Sequence, residues 1–396
     1  MDIDRITYTI TTNNGSYLGD RRLYYLLIEA RWFHSVKKDA KEKRRFCCNS
    51  NKTEPMHLST GFFDIEVSGS IFNVRRIPRA IAVITALYIA LSIALYFDRY
   101  SLYKVLLTQE RDDPEIEYEY IVNPFLQLVP YKMFTYPTSL VLANFVDTKP
   151  WKFVLNIVNL LLGGTFIERN WGSSREVFKF VLVVGIISNV FVGLTTFILS
   201  FVVPPINRYV AVDANFVYII GFSIVYKQLL PETTIIDIKR PSFMTKNFRF
   251  KLLPIFLMTV FTICEIVFLH SFSQLCSIWT TFFLSWIYLR FYQRLPDFNS
   301  SSTSSDDGLS TIVGDASDTF QLIYLFPDVT KPYLRPVFDK TYDLFANRWK
   351  LVRSFALNDI DKGNAIAEQR GAKPVRNETE ERRRELALQV LQERLV

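Results

Sequence analysis

Histidine and cysteine are both scarce in this chain, three and four residues among 396. Cys47, Cys48, Cys264 and Cys276 show no metal-ligand spacing, and two of them fall in apolar stretches, so buried inert thiols are expected rather than a metal or redox centre. No metal and no cofactor are expected. No cleavable leader is expected either, since "MDIDRITYTITTNNGS" has neither a basic start nor an apolar run. The first apolar span must then act as the insertion signal. The net charge of +7 is not gathered into a basic domain; its residues flank apolar spans, which argues against nucleic acid as a partner.

What is abundant is aromatic and aliphatic. Aromatics make up 15% of residues, 34 of them Phe, and mean hydropathy is positive although 21% of residues are charged, so polarity is segregated along the chain. About 20 mostly apolar residues cross a bilayer as a helix. Six windows fit: from Ala80, "AIAVITALYIALSIALYF"; from Trp151, "WKFVLNIVNLLLGGTFI"; from Val177, "VFKFVLVVGIISNVFVGLTTFILSFVV"; from Tyr209, "YVAVDANFVYIIGFSIVY"; from Leu252, "LLPIFLMTVFTICEIVFL"; and from Ser271, "SFSQLCSIWTTFFLSWIYLRF". The fourth carries Asp213 and Asn215 inside it. The expected fold class is an all-α polytopic membrane protein, a six-helix bundle over residues 77–293.

Arg75, Arg76 and Arg79 crowd the start of the first span, so the positive-inside rule puts the N-terminus in the cytosol, and six spans return the C-terminus to that side. Lys239, Arg240, Lys246, Arg249 and Lys251 in the loop after the fourth span agree. The sequons at Asn14, Asn51, Asn299 and Asn377 all fall on the predicted cytosolic side, so the protein is expected to be unglycosylated.

Outside the bundle, residues 1–76 read as a small cytosolic α+β module, with a hairpin at "RITYTITTNNGSYLG" and a short helix at "RRLYYLLIEARWF". Residues 294–313 read as a flexible linker, and 314–396 as a cytosolic tail. Within the tail, "GDASDTFQLIYLFPD" either packs back on the membrane domain or is docked by a partner. The terminal "ETEERRRELALQVLQERLV" reads as an amphipathic helix with Leu388, Leu391 and Leu395 on one side.

One turn stands apart. "FIERNWGSSREVF", residues 166–178, sets charges and a Trp-Gly pair between apolar spans. Gly172 permits the reversal, and Trp171 is expected at headgroup depth. Glu168 is expected to bond Arg169, Arg175 or free amides at the start of the third span. In the second span, Asn156, Asn159 and Gly163 share a helical face, a small and polar stripe that suits close packing in lipid.

"GGTFIERNWGSSREVFKF" resembles the turn between the second and third helices of rhomboid-like membrane proteins. Four stretches in order, "IERNWGSSREVFKF", "IIGFSIVYKQLLPE", "SWIYLRFYQR" and the terminal "ETEERRRELALQVLQERL", resemble the transmembrane protein 115 family of rhomboid-like Golgi proteins, as does "GDASDTFQLIYLFPD". The resemblance runs from about Ile77 to the C-terminus. It implies a rhomboid-like loop around "VPYKMFTYP", with Tyr131-Lys132 where Trp-Arg is usual.

An active rhomboid needs a serine in a G-x-S-G setting and a histidine as its base. Aligning "VDANFVYIIGF" on that motif puts Ala214 at the serine and Val212 and Asn215 at the glycines. Ser223 lies nine residues further along, roughly 13 Å deeper, and His34, His57 and His270 are not placed to meet it. Lys152 stands where active rhomboids keep an oxyanion-stabilising histidine. No catalytic residue is expected. Asp213 and Glu265, the latter with His270 as a partner, are the intramembrane acids of interest.

The resemblance therefore implies a catalytically inactive scaffold of the Golgi, acting in retrograde traffic to the endoplasmic reticulum. The implied partners are the lipid bilayer, transmembrane clients and cytosolic tethering or coat factors, with a homo-oligomer left open. A derlin-like quality-control component of the endoplasmic reticulum is the alternative, and an intramembrane serine protease the third.

Overall fold

The computed structural model describes residues 56–60, 63–67, 77–109, 121–203, 206–232, 234–240, 248–296, 311–327, 330–350, 352–353 and 355–372. The hairpin and helix expected in residues 1–55 and the amphipathic helix expected after residue 378 lie outside these.

Helices occupy the place of each apolar window: α1 Arg79–Gln109, α2 Pro150–Trp171, α3 Ser174–Leu199, α4 Val217–Leu229, α5 Phe250–Phe268 and α6 Phe272–Ile287, which runs on through a π turn at Tyr288–Tyr292. Four of them, α1, α2, α3 and α5, are long and apolar enough to cross a membrane. Helix α4 is shorter, about 20 Å at 1.5 Å per residue. The window read as a fourth span from Tyr209 becomes helical only at Val217. The stretch before it is irregular: the Ala214 and Phe216 amides bond the Val212 and Ala214 carbonyls at 3.1 Å, and the Val212 amide bonds the Leu128 carbonyl at 2.7 Å and ties the chain to the loop after α1.

Prolines and glycines set the helix ends. Pro150 stands in the first turn of α2, where a missing N–H costs nothing. Gly172 caps α2 at φ 63°, a left-handed position that suits glycine. Ser173 then caps α3, its side chain accepting the Glu176 amide at 3.4 Å. Two ends of the bundle follow: a turn end, with the α2–α3 turn and the C-terminal ends of α4 and α6, and a far end, with the starts of α2 and α6.

Close approach of helices is specific. A Cβ on Gly163 would lie 1.4 Å from the Tyr226 hydroxyl of α4, and one on Gly185 of α3 would lie 2.4 Å from Asn144. Asn159 donates to the Tyr218 carbonyl and accepts the Tyr226 hydroxyl at 2.6 Å. Asn159 and Gly163 of the polar stripe thus face α4. Helices α3 and α6 meet through Ser188–Thr281 at 3.0 Å and Thr196–Ser273 at 3.2 Å, short polar links where lipid offers no hydrophobic drive. Every residue of α4 is buried, whereas only 22% of the apolar window of α5 is.

Strands join the segments outside the helices. Met56–Thr60 (β1), Phe63–Val67 (β2), Thr234–Arg240 (β3) and Phe248–Arg249 (β4) form an antiparallel sheet in chain order. Residues from the expected N-terminal module therefore pair with the loop after α4. Arg294–Pro296 (β5) and Thr311–Val313 (β6) form a ribbon that fixes both ends of the expected linker.

The tail segment after β6 packs back on the bundle. Phe320 and Leu325 join the main core, Trp286 Nε1 donates to the Phe320 carbonyl at 3.0 Å, and Arg290 donates to the carbonyls of Asp315 at 2.6 Å and Ser317 at 2.5 Å. Two further helices follow, α7 Lys331–Asp343 and α8 Leu357–Gln369. In α8, Asn364 accepts the Asp318 amide at 2.8 Å and donates to its carboxylate at 2.9 Å. Arg370 pairs with Asp315 at 3.6 Å; burial draws its guanidinium below the usual value and Asp315 pulls it back up.

Candidate functional site

At the turn end, Glu168 is 5% exposed and accepts the amides of Ala80 at 3.2 Å and Ile81 at 2.9 Å, together with the Ser174 hydroxyl at 2.5 Å. The expected partners at the start of the third span are thus corrected to amides at the start of α1. The physical reason is that α1 begins beside the turn with free N–H groups, and a carboxylate at a helix N-terminus meets both them and the dipole. Trp171 is corrected as well. It is 1% exposed, packed edge-on against Phe180 at 5.8 Å, and so belongs to the core instead of the headgroups. Both residues, with Gly172, hold three helix ends together and leave no open surface for chemistry.

The far end is different. Asn156, fully buried, donates to Asp147 at 2.5 Å and to the Tyr88 hydroxyl at 3.3 Å, while Tyr88 itself donates to Asp147. Lys152, 1% exposed, donates to Asp213 at 3.0 Å, lies 3.6 Å from Asp147, and stands 4.0 Å over the Phe216 ring. Asp213 is therefore an ion-paired group with only a tenth of its side chain exposed. Lysine at this place does donate, but to an internal carboxylate.

Ala214, 3% exposed, follows directly, its carbonyl accepting the Ser277 hydroxyl of α6 at 2.6 Å. Beside it is a cavity of about 30 Å³ lined by residues including Gln127, Thr148, Asp213 and Ala214. That is room for a water or two and too little for a peptide. Ser223 is fully buried and turned onto the Ile220 carbonyl at 2.6 Å. His270 is exposed and caps α5 at φ 49°, meeting Glu265 through a backbone bond of 2.7 Å. The charged neighbours of the Glu265 carboxylate are Lys149, Lys152 and Asp213.

The structure thus brings Asn156, Asp213 and Ala214 into one neighbourhood and puts Gly163, Glu168, Trp171 and Gly172 into packing. Sequence reasoning missed Asp147, Tyr88 and Ser277. Asp147 lies between apolar windows, outside any periodic pattern, and only the fold carries it inward. Among the described residues, no group of three or more His, Cys, Asp or Glu side chains could hold a metal ion.

Long apolar helices with buried polar pairs between them define a polytopic helical membrane protein. Sequence comparison narrows this class. The family described as eukaryotic integral membrane protein (DUF1751) matches residues 79–396. The chain is 50% identical over 344 residues to the Transmembrane protein 115 homolog of Saccharomyces cerevisiae, covering 86% of this chain and 99% of that one. It is 25% identical over 215 residues to Rhomboid-like protein 19 of Arabidopsis thaliana, covering 54% and 64%. It is 22% identical over 261 residues to Transmembrane protein 115 of Homo sapiens, covering 65% and 67%. No solved structure matches. The chain belongs to the transmembrane protein 115 family.

Proposed function

We propose that this protein is a non-catalytic, six-span rhomboid-like scaffold of the Golgi membrane, with both termini cytosolic, that serves retrograde traffic to the endoplasmic reticulum. The observation that carries the reading is the state of the position aligned with a rhomboid serine. It holds Ala214, whose carbonyl is bonded by Ser277, beside Lys152 neutralised by Asp213. A methyl group offers no nucleophile, and the ion-paired Lys152 stands where the resemblance puts an oxyanion-stabilising histidine. The buried polar groups of α2 and of the stretch before α4 instead suit retention of another protein's helix, since in lipid a polar side chain finds its partner on a neighbouring helix. The tail would recruit tethering or coat factors.

Proximity labelling from the C-terminus of the full chain, compared with a chain truncated before Glu378, tests this. Golgi and vesicle-tethering neighbours lost on truncation are expected. Neighbours drawn from endoplasmic reticulum ubiquitin ligases and unfoldases would favour the derlin-like alternative. Labelling of the purified protein by a serine-reactive fluorophosphonate would overturn the non-catalytic reading.

A further inference from the structure

Helix α7 has no buried residue. Its Tyr333 is 79% exposed, and Val337 and Tyr342 are exposed with it, as are Phe345 on the π turn Leu344–Arg348 and Trp349 just after that turn. Tyr333 and Val337 lie one turn apart on a single face, and Phe345 packs edge-on to Trp349 with ring centroids 5.2 Å apart. So many large apolar side chains on one short stretch form a patch that water does not favour and that marks a contact surface.

Where α7 starts and what charge it carries say what covers this face. The tail segment before it runs down beside α6, meeting Arg290 through Asp315, Trp286 through Phe320 and Phe282 through Phe326. From Arg290 to Phe282 is about 12 Å along the helix axis. Phe326 in turn holds Phe338 of α7, centroids 5.5 Å apart. Helix α7 thus begins against the flank of a lipid-facing bundle, and its exposed face continues that flank. The stretch is also basic: from Lys331 to Lys350 stand five cations and two acids, Asp339 and Asp343. Behind it Lys227 Nζ, buried and without a hydrogen-bond partner among the described residues, faces Lys251, Lys331 and Arg290 against one acid, Asp315. Gln228, Ser317 and Arg370 already engage Asp315, so the positive field at the turn end is not cancelled from within.

We infer that α7 and the turn after it form an interfacial lipid-binding element selective for anionic phospholipid, with Tyr333, Val337, Phe345 and Trp349 in the acyl boundary and Arg335, Lys340 and Arg348 at the lipid phosphates. Tyrosine and tryptophan concentrate at that depth, a helix of this kind lies in the plane of the headgroups, and the arginine and lysine stems reach from there to the charged layer. Each cation near an anionic surface adds to the attraction. The element goes beyond the scaffold role proposed above and does not depend on which face of the membrane the turn end occupies.

The full chain is reconstituted in phosphatidylcholine nanodiscs containing the same small fraction of brominated phosphatidylserine or brominated phosphatidylcholine, and the Trp349 signal is taken as the difference between the protein and Trp349→Phe. Both brominated lipids should quench it, and phosphatidylserine should be enriched beside it on the order of fivefold, as one cation near an anionic surface brings about. Arg335→Gln with Lys340→Gln and Arg348→Gln, all at exposed positions, should equalise the two lipids while quenching persists. Inorganic phosphate at constant ionic strength should leave the preference intact; its loss would mean a site for the free ion and overturn the lipid assignment. Equal quenching of the unaltered protein by the two lipids would overturn the selectivity. A Trp349 signal shielded from both would mean that protein or water covers this face, and would overturn the whole inference.

Discussion

Helices α4 and α5 lie against each other and have opposite surroundings. Helix α4 is buried along its whole length, shorter than the four long spans, and contains Ser223, Lys227 and Gln228. Helix α5 is longer and mostly apolar, with Ile263, Ile266 and Val267 all more than half exposed. The difference teaches that hydropathy in this protein reports contact with lipid and not position in the core. A helix wrapped by other helices is free to be polar, because its neighbours supply the hydrogen bonds that lipid cannot.

The largest effect should come from closing the contact on which α4 is seated. Gly163→Leu would drive side-chain carbon through the Tyr226 ring, and loss of folded, monodisperse protein is expected by size-exclusion chromatography in detergent. Tyr226→Phe should restore it only in part, since the ring carbon would still lie 2.6 Å from a Cβ. Next, Glu168→Ala should destabilise by about 3 kcal/mol in a denaturant titration, because two buried amides at the start of α1 lose a charged acceptor. Ser277→Ala should cost about 1 kcal/mol, the size of one neutral hydrogen bond to Ala214. Smallest of all, Ile263→Val on the lipid face of α5 should stay within about 0.5 kcal/mol. If Ile263→Val were as damaging as Gly163→Leu, the contrast between the two helices would collapse.

The same contrast explains what was legible beforehand. α1, α3 and α5 each show a lipid-facing side, so their windows were plain in the sequence. The fourth window holds a helix that starts only at Val217, since the irregular stretch before it is tied through Val212 to Leu128, a contact that no local pattern encodes. The α2 stripe was readable because Asn156, Asn159 and Gly163 recur at helical spacing, and it does face protein. Glu168 and Trp171 were recognisable as unusual, but their partners, Ala80, Ile81 and Phe180, depend on how α1 and α3 come together. Of the far-end cluster, Asp213 and Lys152 were visible one at a time; their pairing spans 61 positions and needed the fold.

The clasp of the tail on the turn end carries a consequence for how the molecule is made. Arg290 finds hydrogen-bond partners at Asp315 and Ser317, and Gln228 at Asp315 and Arg370 as well as at Gln293. At about 5–20 residues per second, a ribosome takes roughly 1–5 s to travel from codon 290 to codon 317. Throughout that interval the nascent bundle sits inserted with a cationic side chain unanswered at its rim, so the last helix to enter the bilayer is not the last event of its maturation.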